Sequence, residues 1–274
     1  MAGTGPRLLL VGGGRMGGAL LRGWLDKAIA APGAVTVVEP SDQAREALAP
    51  LGVDLVADAG PVLAGGEAFD LVLLALKPQV MDDAAVYRPI AEAGTVVLSI
   101  AAGKTTAYFR SILGDGAAVV RAMPNTPAQV GRGITALYAT GAVDDAGRTL
   151  AAALMEAVGE VVWIEDEALM DAVTAVSGSG PAYLFHLIEC LETAAREAGL
   201  ADDLARRLAR ATVIGAAELA HRSPESAARL REEVTSPGGT TAAALEVLMG
   251  ADGLEAMMVR AVAAAARRSR ELAD

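Results

Sequence analysis

A doubly wound α/β domain over residues 1–164, followed by an all-α domain over residues 165–274, is the fold class that the sequence predicts. Alternation is the first reason. Short runs of leucine and β-branched residues recur at Leu8–Val11, Val35–Val38, Leu71–Leu76, Val96–Ile100 and Val119–Val120. Stretches of helical spacing, such as Met16–Ala28 and Asp42–Leu48, separate most of them. Strands alternating with helices predict a parallel sheet covered on both faces. The second reason is a change of texture after about Val161. From Asp166 onward the β-branched runs nearly cease, and alanine-rich amphipathic segments follow at Pro181–Ala198, Leu204–Ala220, Thr241–Met249 and Leu254–Leu272. Gly199, Ser223-Pro224, Ser236-Pro237-Gly238-Gly239 and Gly250 punctuate them as helix breakers.

Composition excludes several classes of function. The 274 residues are 53% hydrophobic, enough apolar material for one large core or two ordinary ones. Lys and Arg number 23 against 34 Asp and Glu, a net charge of −11. With a pI near 4.7, nucleic acid is not an expected partner, because a phosphate backbone demands clustered positive charge. The single cysteine, Cys190, allows no internal disulfide, so a reducing compartment such as the cytoplasm is expected. With His186 and His221 as the only histidines, no metal site is expected. The apolar stretch of the N-terminal segment, residues 1–14, is too short for a membrane span and runs into glycines rather than a cleavage site. Arg outnumbers Lys 20 to 3, so the lysines that are kept (Lys27, Lys77 and Lys104) mark positions that need one. Helices rich in alanine and poor in aromatics have thin cores, and a bundle of them is expected to complete its core against a second copy.

Gly12-Gly13-Gly14-Arg15-Met16-Gly17 follows the first apolar run and opens a helical stretch, fitting G-x-G-x-x-G at Gly12, Gly14 and Gly17. Such a turn fits a Rossmann-like dinucleotide site. The first glycine makes the tight turn, the second admits a pyrophosphate to the backbone, and the third lets helix and strand pack closely. Free N–H groups and the helix dipole, at Arg15 and Met16, then face the phosphates. Glu39 ends the second strand, where a carboxylate accepts ribose hydroxyls and repels a 2′-phosphate, which leans towards NADH. Ser41 and Arg45 beside it suit a 2′-phosphate, which leaves NADPH open. Ala75 and Lys77 lie at the end of the next strand, fixed by Pro78. Two more strand ends follow: Ala101-Ala102-Gly103, small enough for a ring to lie against the backbone, and Met123-Pro124-Asn125-Thr126-Pro127, a rigid loop offering the Asn125 amide. Each of these is also compatible with an ordinary turn.

In the second half, Ser177-Gly178-Ser179-Gly180-Pro181 either lets a ligand approach or makes a tight helix corner, with Pro181 at the start of a helix. Ser236-Pro237-Gly238-Gly239-Thr240-Thr241 leads straight into a helix with no acidic residue inside it. Glycine-freed N–H groups, hydroxyls and a helix dipole suit a small carboxylate, and an N-cap by Ser or Thr is compatible with that. His186 and Cys190, at helical i, i+4 spacing, are read as core or interface packing, and His221 as serving a helix end.

These motifs together resemble the pyrroline-5-carboxylate reductase family over nearly the whole chain. Besides the glycine turn, the resemblance rests on Leu76-Lys77-Pro78, Ser99-Ile100-Ala101-Ala102-Gly103 and Val120-Arg121-Ala122-Met123-Pro124-Asn125-Thr126-Pro127. The most specific stretches are Asp171–Tyr183 and Val234–Thr241. The resemblance implies a dimerisation role for the helical domain, dimers built into larger rings in many members, and reduction of 1-pyrroline-5-carboxylate to L-proline by NADPH or NADH. It implies a substrate site at Ser236, Gly238, Gly239, Thr240 and Thr241, bordered by Ser177 and Gly178, with the Thr241 hydroxyl near the ring nitrogen. Arg15 stands where many members have Asn or Gln, and Glu39 where NADPH-preferring members tend to have a neutral or hydroxyl residue. Reducing a cyclic imine needs a hydride donor, a hold on the carboxylate and a proton for nitrogen, but no metal and no nucleophile. Dehydrogenases of 3-hydroxyacids share the plan but use a lysine in the second domain, and here no lysine follows Lys104. A dinucleotide sensor without activity would have no use for the loop at 236–241.

Overall fold

The computed structural model describes residues 5–272, so the first four residues of the N-terminal stretch lie outside the described part. Two compact units divide the chain. One runs to Gly178 and is rejoined by the chain from Ala265; the other is Ser179–Ala264. Strands give way to helices after residue 163, and the first helical turns, up to Gly178, belong to the same compact unit as the sheet.

In the first unit, eight strands form one sheet: β1 (Leu8–Val11), β2 (Val35–Val38), β3 (Asp54–Val56), β4 (Leu71–Leu74), β5 (Val96–Ser99), β6 (Val119–Met123), β7 (Gly133–Ala139) and β8 (Gly159–Trp163). Their order is β3-β2-β1-β4-β5-β6-β7-β8. The first six strands follow the doubly wound order, whose reversal between β1 and β4 opens a crevice at the carboxyl ends of the strands. The sheet is parallel except between β6 and β7. The sheet is thus parallel-dominated, as expected, and connection length explains the one exception: the turn through residues 124–132 is too short for the crossover that parallel neighbours need.

β1, β2, β4 and β5 are buried along their whole length, which is why they read as unbroken apolar runs. Helices α1 (Arg15–Asp26), α2 (Asp42–Leu48), α3 (Gly60–Gly65), α4 (Arg88–Glu92), α5 (Thr106–Leu113), α6 (Asp145–Glu156) and α7 (Met170–Val173) complete the unit. Leu20, Leu21 and Trp24 of α1 and Leu154 of α6 pack on one face of the sheet; Val62 of α3 and Phe109 of α5 pack on the other. Trp24 is fully buried, and its indole N–H donates to the Leu154 carbonyl at 2.8 Å, so its burial leaves no polar group unpaired.

The second unit contains α8 (Gly180–Glu197), α9 (Asp202–Arg222), α10 (Ala227–Glu233), α11 (Thr240–Leu248) and the beginning of α12 (Leu254–Glu271). Pro181 lies in the first turn of α8, as its fixed φ favours. Among the described apolar residues of this unit only Ala205 and Ala209 are buried, whereas Phe185, Ile214 and Val247 are 63%, 62% and 76% exposed. No helix is long and apolar enough to cross a membrane.

Candidate active site

The glycine turn joins β1 to α1. Gly12 has φ +100°, and a Cβ there would meet the Ala75 carbonyl at 2.8 Å. At Gly17 a Cβ would come within 2.1 Å of the Gly12 carbonyl oxygen, so the helix can start this close to the turn only without a side chain. Gly14 faces open space. α1 has no side-chain cap and no acidic residue in its first turn, leaving the N–H groups of Arg15, Met16 and Gly17 for a ligand. A groove of about 680 Å³ opens beside the turn, lined among others by Gly13, Gly14, Arg15 and Arg22. Open space at Gly14, unspent N–H groups and exposed Arg15 fit a dinucleotide pyrophosphate.

Glu39 at the end of β2 is 8% exposed. Its carboxylate accepts the Gly13 N–H at 2.7 Å and the Ser41 N–H at 2.9 Å. It therefore braces the glycine turn from the end of β2. Ser41 caps α2 by accepting the Ala44 N–H at 3.3 Å. Arg45 donates to the Glu39 carbonyl at 2.6 Å and pairs with Asp42, so its charge is held over the same strand end.

At the end of β4, the Ala75 backbone lies under Gly12 and its methyl under Gly17, while Lys77 is exposed. After β5, the Ser99 hydroxyl accepts the Ala101 N–H at 3.2 Å; Ala101 and Gly103 are buried and Ala102 half-buried. Asn125, after β6, is 9% exposed. Its amide donates to the Ser177 carbonyl at 3.2 Å and accepts the Ile134 N–H at 3.0 Å, tying this strand end to β7. The structure thus gathers Gly12, Gly14, Arg15, Met16, Gly17, Glu39, Ser41, Ala75, Lys77, Ala101, Ala102, Gly103 and Asn125 along the carboxyl edge of the first six strands.

Ser177 and Gly178 close the first unit in a π-helical turn, Thr174–Gly178, a geometry frequent at functional sites. A Cβ at Gly178 would meet the Met123 methyl at 2.5 Å. Ser236, Gly238, Gly239, Thr240 and Thr241 belong to the second unit. Gly238 has φ +67°, and the Gly239 N–H closes a turn onto the Ser236 carbonyl at 3.0 Å. α11 then begins with no side-chain cap and no acidic residue in its first turn. The hydroxyls of Ser236, Thr240 and Thr241 make no hydrogen bond among the described residues. The N-cap alternative therefore leaves these groups unused.

His186 and Cys190 are exposed on α8 within the single chain, with the His186 Nδ1 at 3.0 Å from Glu189 and the Cys190 Sγ at 3.6 Å from its Nε2. His221 lies in the last turn of α9, where a cation suits the helix dipole. No three His, Cys, Asp or Glu side chains converge as metal ligands among the described residues.

Sequence reasoning missed one cluster. Arg121 on β6 is buried and donates to Glu167 Oε1 at 2.7 Å. The same carboxylate accepts the Thr106 N–H at 2.8 Å and the Thr106 hydroxyl at 2.5 Å. Burial alone would push the Glu167 carboxyl up; the hydrogen bonds from Thr106 and Arg121, with the Arg121 charge, outweigh it and hold it below its ordinary range. An arginine inside the apolar run Val119–Met123 was the available signal, since a buried arginine demands a partner.

Comparison with known proteins identifies the family and the fold. Residues 167–272 match the family described as pyrroline-5-carboxylate reductase dimerisation, and residues 7–103 match that described as NADP oxidoreductase coenzyme F420-dependent. A pyrroline-5-carboxylate reductase of Pseudomonas aeruginosa is 40% identical over 273 residues, covering 98% of this chain and 97% of its own. The structure of a pyrroline-5-carboxylate reductase from Coxiella burnetii superposes with a TM-score of 0.91 at 35% identity, over 98% of this chain and 99% of the other. That of Plasmodium falciparum pyrroline carboxylate reductase with NADP bound gives 0.82 at 26% identity, over 99% of both chains.

Proposed function

The chain belongs to the pyrroline-5-carboxylate reductase family, and from that premise we propose how its own residues reduce 1-pyrroline-5-carboxylate to L-proline, the last step of proline biosynthesis. Residues 1–164 hold the dinucleotide and residues 165–274 carry the substrate loop and the dimer contact. The first-turn N–H groups of α1 take the pyrophosphate, Glu39 and Ser41 the adenosine ribose, and Ala75, Lys77, Ala101–Gly103 and Asn125 border the nicotinamide half. NADPH or NADH, when bound, supplies the hydride for the imine carbon.

The loop from Ser236 to Thr241 holds the substrate. The Ser236 hydroxyl and the N–H groups near Gly238, Gly239 and Thr240 bind the carboxylate, and the positive end of the α11 dipole favours its charge. The Thr241 hydroxyl hydrogen-bonds the ring nitrogen, which takes up the electron pair of its double bond to carbon as hydride arrives and gains its proton from solvent water, so this contact strengthens in the transition state. Ser177 and Gly178 border the ring. Catalysis rests on orientation and one neutral hydrogen bond, with no charged acid.

The observation that carries this reading is the start of α11, with no side-chain cap and three hydroxyls unspent among the described residues. The apolar side chains exposed on residues 179–264 support a homodimer formed through this unit; larger rings of such dimers and a cytoplasmic location belong to the same proposal. Purified protein is expected to oxidise NADPH or NADH only when pyrroline-5-carboxylate is supplied, with proline formed one for one and no added metal. Turnover of a 3-hydroxyacid but not of the imine would overturn the reading.

A further inference from the structure

We propose that Glu167 is a positioning residue for the nicotinamide end of the dinucleotide, acting through the loop after β5. The inference rests on the reading above that Ala101-Ala102-Gly103 borders the dinucleotide. Both chain segments that connect to the helical unit grip this loop. The outgoing segment carries Glu167, which holds the end of the loop through the N–H and hydroxyl of Thr106 at 2.8 and 2.5 Å. The returning segment brings Leu272 to the loop, where its carbonyl oxygen would lie 3.1 Å from a Cβ on Gly103, itself at φ +78°. The two segments are joined to each other, since the Ser269 hydroxyl donates to Asp171 at 2.6 Å.

Glu167 is in turn fixed from below. Arg121 reaches it at 2.7 Å from β6. In the sheet Arg121 is the register partner of Ser99, the residue whose hydroxyl sets the first turn of the same loop at Ala101. One carboxylate therefore ties the loop end at Thr106 to the strand beside the loop start at Ser99. An ion pair this buried contributes little net stability over an apolar pair of similar shape. What it fixes is the path of the loop, since both Thr106 donors and the Arg121 guanidinium must converge on one group.

The test compares two probes by calorimetry: NADPH, and 2′-phospho-ADP-ribose, which lacks the nicotinamide ring. Glu167→Gln is expected to bind the fragment as the unaltered protein does, yet to lose about tenfold in NADPH affinity and in kcat, with the KM for the imine unchanged. Should that variant not fold, Thr106→Val, which keeps the backbone N–H and removes the hydroxyl, carries the same expectation. Equal losses for both probes, or no loss for either, overturn the positioning role. Ala102→Glu separates the two ideas. If it weakens NADPH binding while Glu167→Gln does not, the positioning claim alone fails; if neither does, the placement of the loop beside the dinucleotide fails with it.

Discussion

Glu39 sets up the sharpest test of the cofactor side, because one carboxylate has two jobs. It accepts two backbone N–H groups, from Gly13 at 2.7 Å and Ser41 at 2.9 Å, and in the proposed cofactor site it sets a negative charge against a 2′-phosphate. Glu39→Gln keeps the shape and one acceptor oxygen but turns an amide N–H towards one of those donors. Weakening one charge-assisted hydrogen bond to the turn costs about 1.5–3 kcal/mol, which lowers affinity for both cofactors by at least about tenfold. The repulsion that this change removes is felt by NADPH alone, while the hydrogen bonds to the ribose hydroxyls weaken for NADH. Two charges about 4 Å apart interact by about 1 kcal/mol in water and more in a partly dry site, so the NADPH-to-NADH ratio of kcat/KM is expected to rise by about tenfold. Steady-state rates with both cofactors, on the same preparations, give both quantities. Equal losses with an unchanged ratio would show that Glu39 only braces the turn, and an unaltered protein that already prefers NADPH by more than about tenfold (1.4 kcal/mol) would refute the lean towards NADH.

Three further outcomes follow from the geometry. Gly17→Ala drives a methyl towards the Gly12 carbonyl, so a loss of about 1–3 kcal/mol in stability and weaker NADPH binding are expected, and calorimetry showing both intact would contradict the packing argument. Glu167 titrates below its ordinary value when folded, so its stabilisation is present above the unfolded value of about 4.3 and is lost as pH falls through the folded one. Melting curves below about pH 4.5 should therefore fall less steeply for Glu167→Gln than for the unaltered chain, and identical acid limbs would refute the linkage. Sedimentation is expected to show at least a dimer, given the apolar surface on residues 179–264; an active monomer at assay concentration would contradict it.

Legibility in the sequence followed how completely each element is buried. β1, β2, β4 and β5 are buried on every residue and stood out as apolar runs. β3 is a half-exposed edge strand beginning with Asp54, and β8 alternates through Glu160, so neither made a run. α10 buries no residue and carries four charged residues in Ala227–Glu233, which hid its helical period. The site residues at strand ends were legible because glycine, proline and a lone lysine are unusual there. Two kept lysines have partners: Lys27 donates to the Glu156 carbonyl at 2.9 Å, and Lys104 lies 4.2 Å from the Tyr108 ring centroid. Partnership across the chain was not legible. Nothing local to Glu39 says that it reaches Gly13, and nothing local to Glu167 says that it meets Arg121, 46 residues away in sequence.

The claim that the loop at 236–241 both holds the carboxylate and assists the ring nitrogen is tested most directly by kcat, KM and melting temperature on Ser236→Ala and Thr241→Ala. Ser236→Ala is expected mainly to raise the KM for pyrroline-5-carboxylate, because it weakens binding in ground and transition states alike. Thr241→Ala is expected to lower kcat by about tenfold, the 1–2 kcal/mol of a neutral hydrogen bond and far less than loss of an obligatory acid. Both should melt close to the unaltered protein, since neither hydroxyl has a hydrogen-bond partner among the described residues. An unchanged kcat with a lowered melting temperature in Thr241→Ala would make that residue a helix-start residue only and contradict the catalytic assignment.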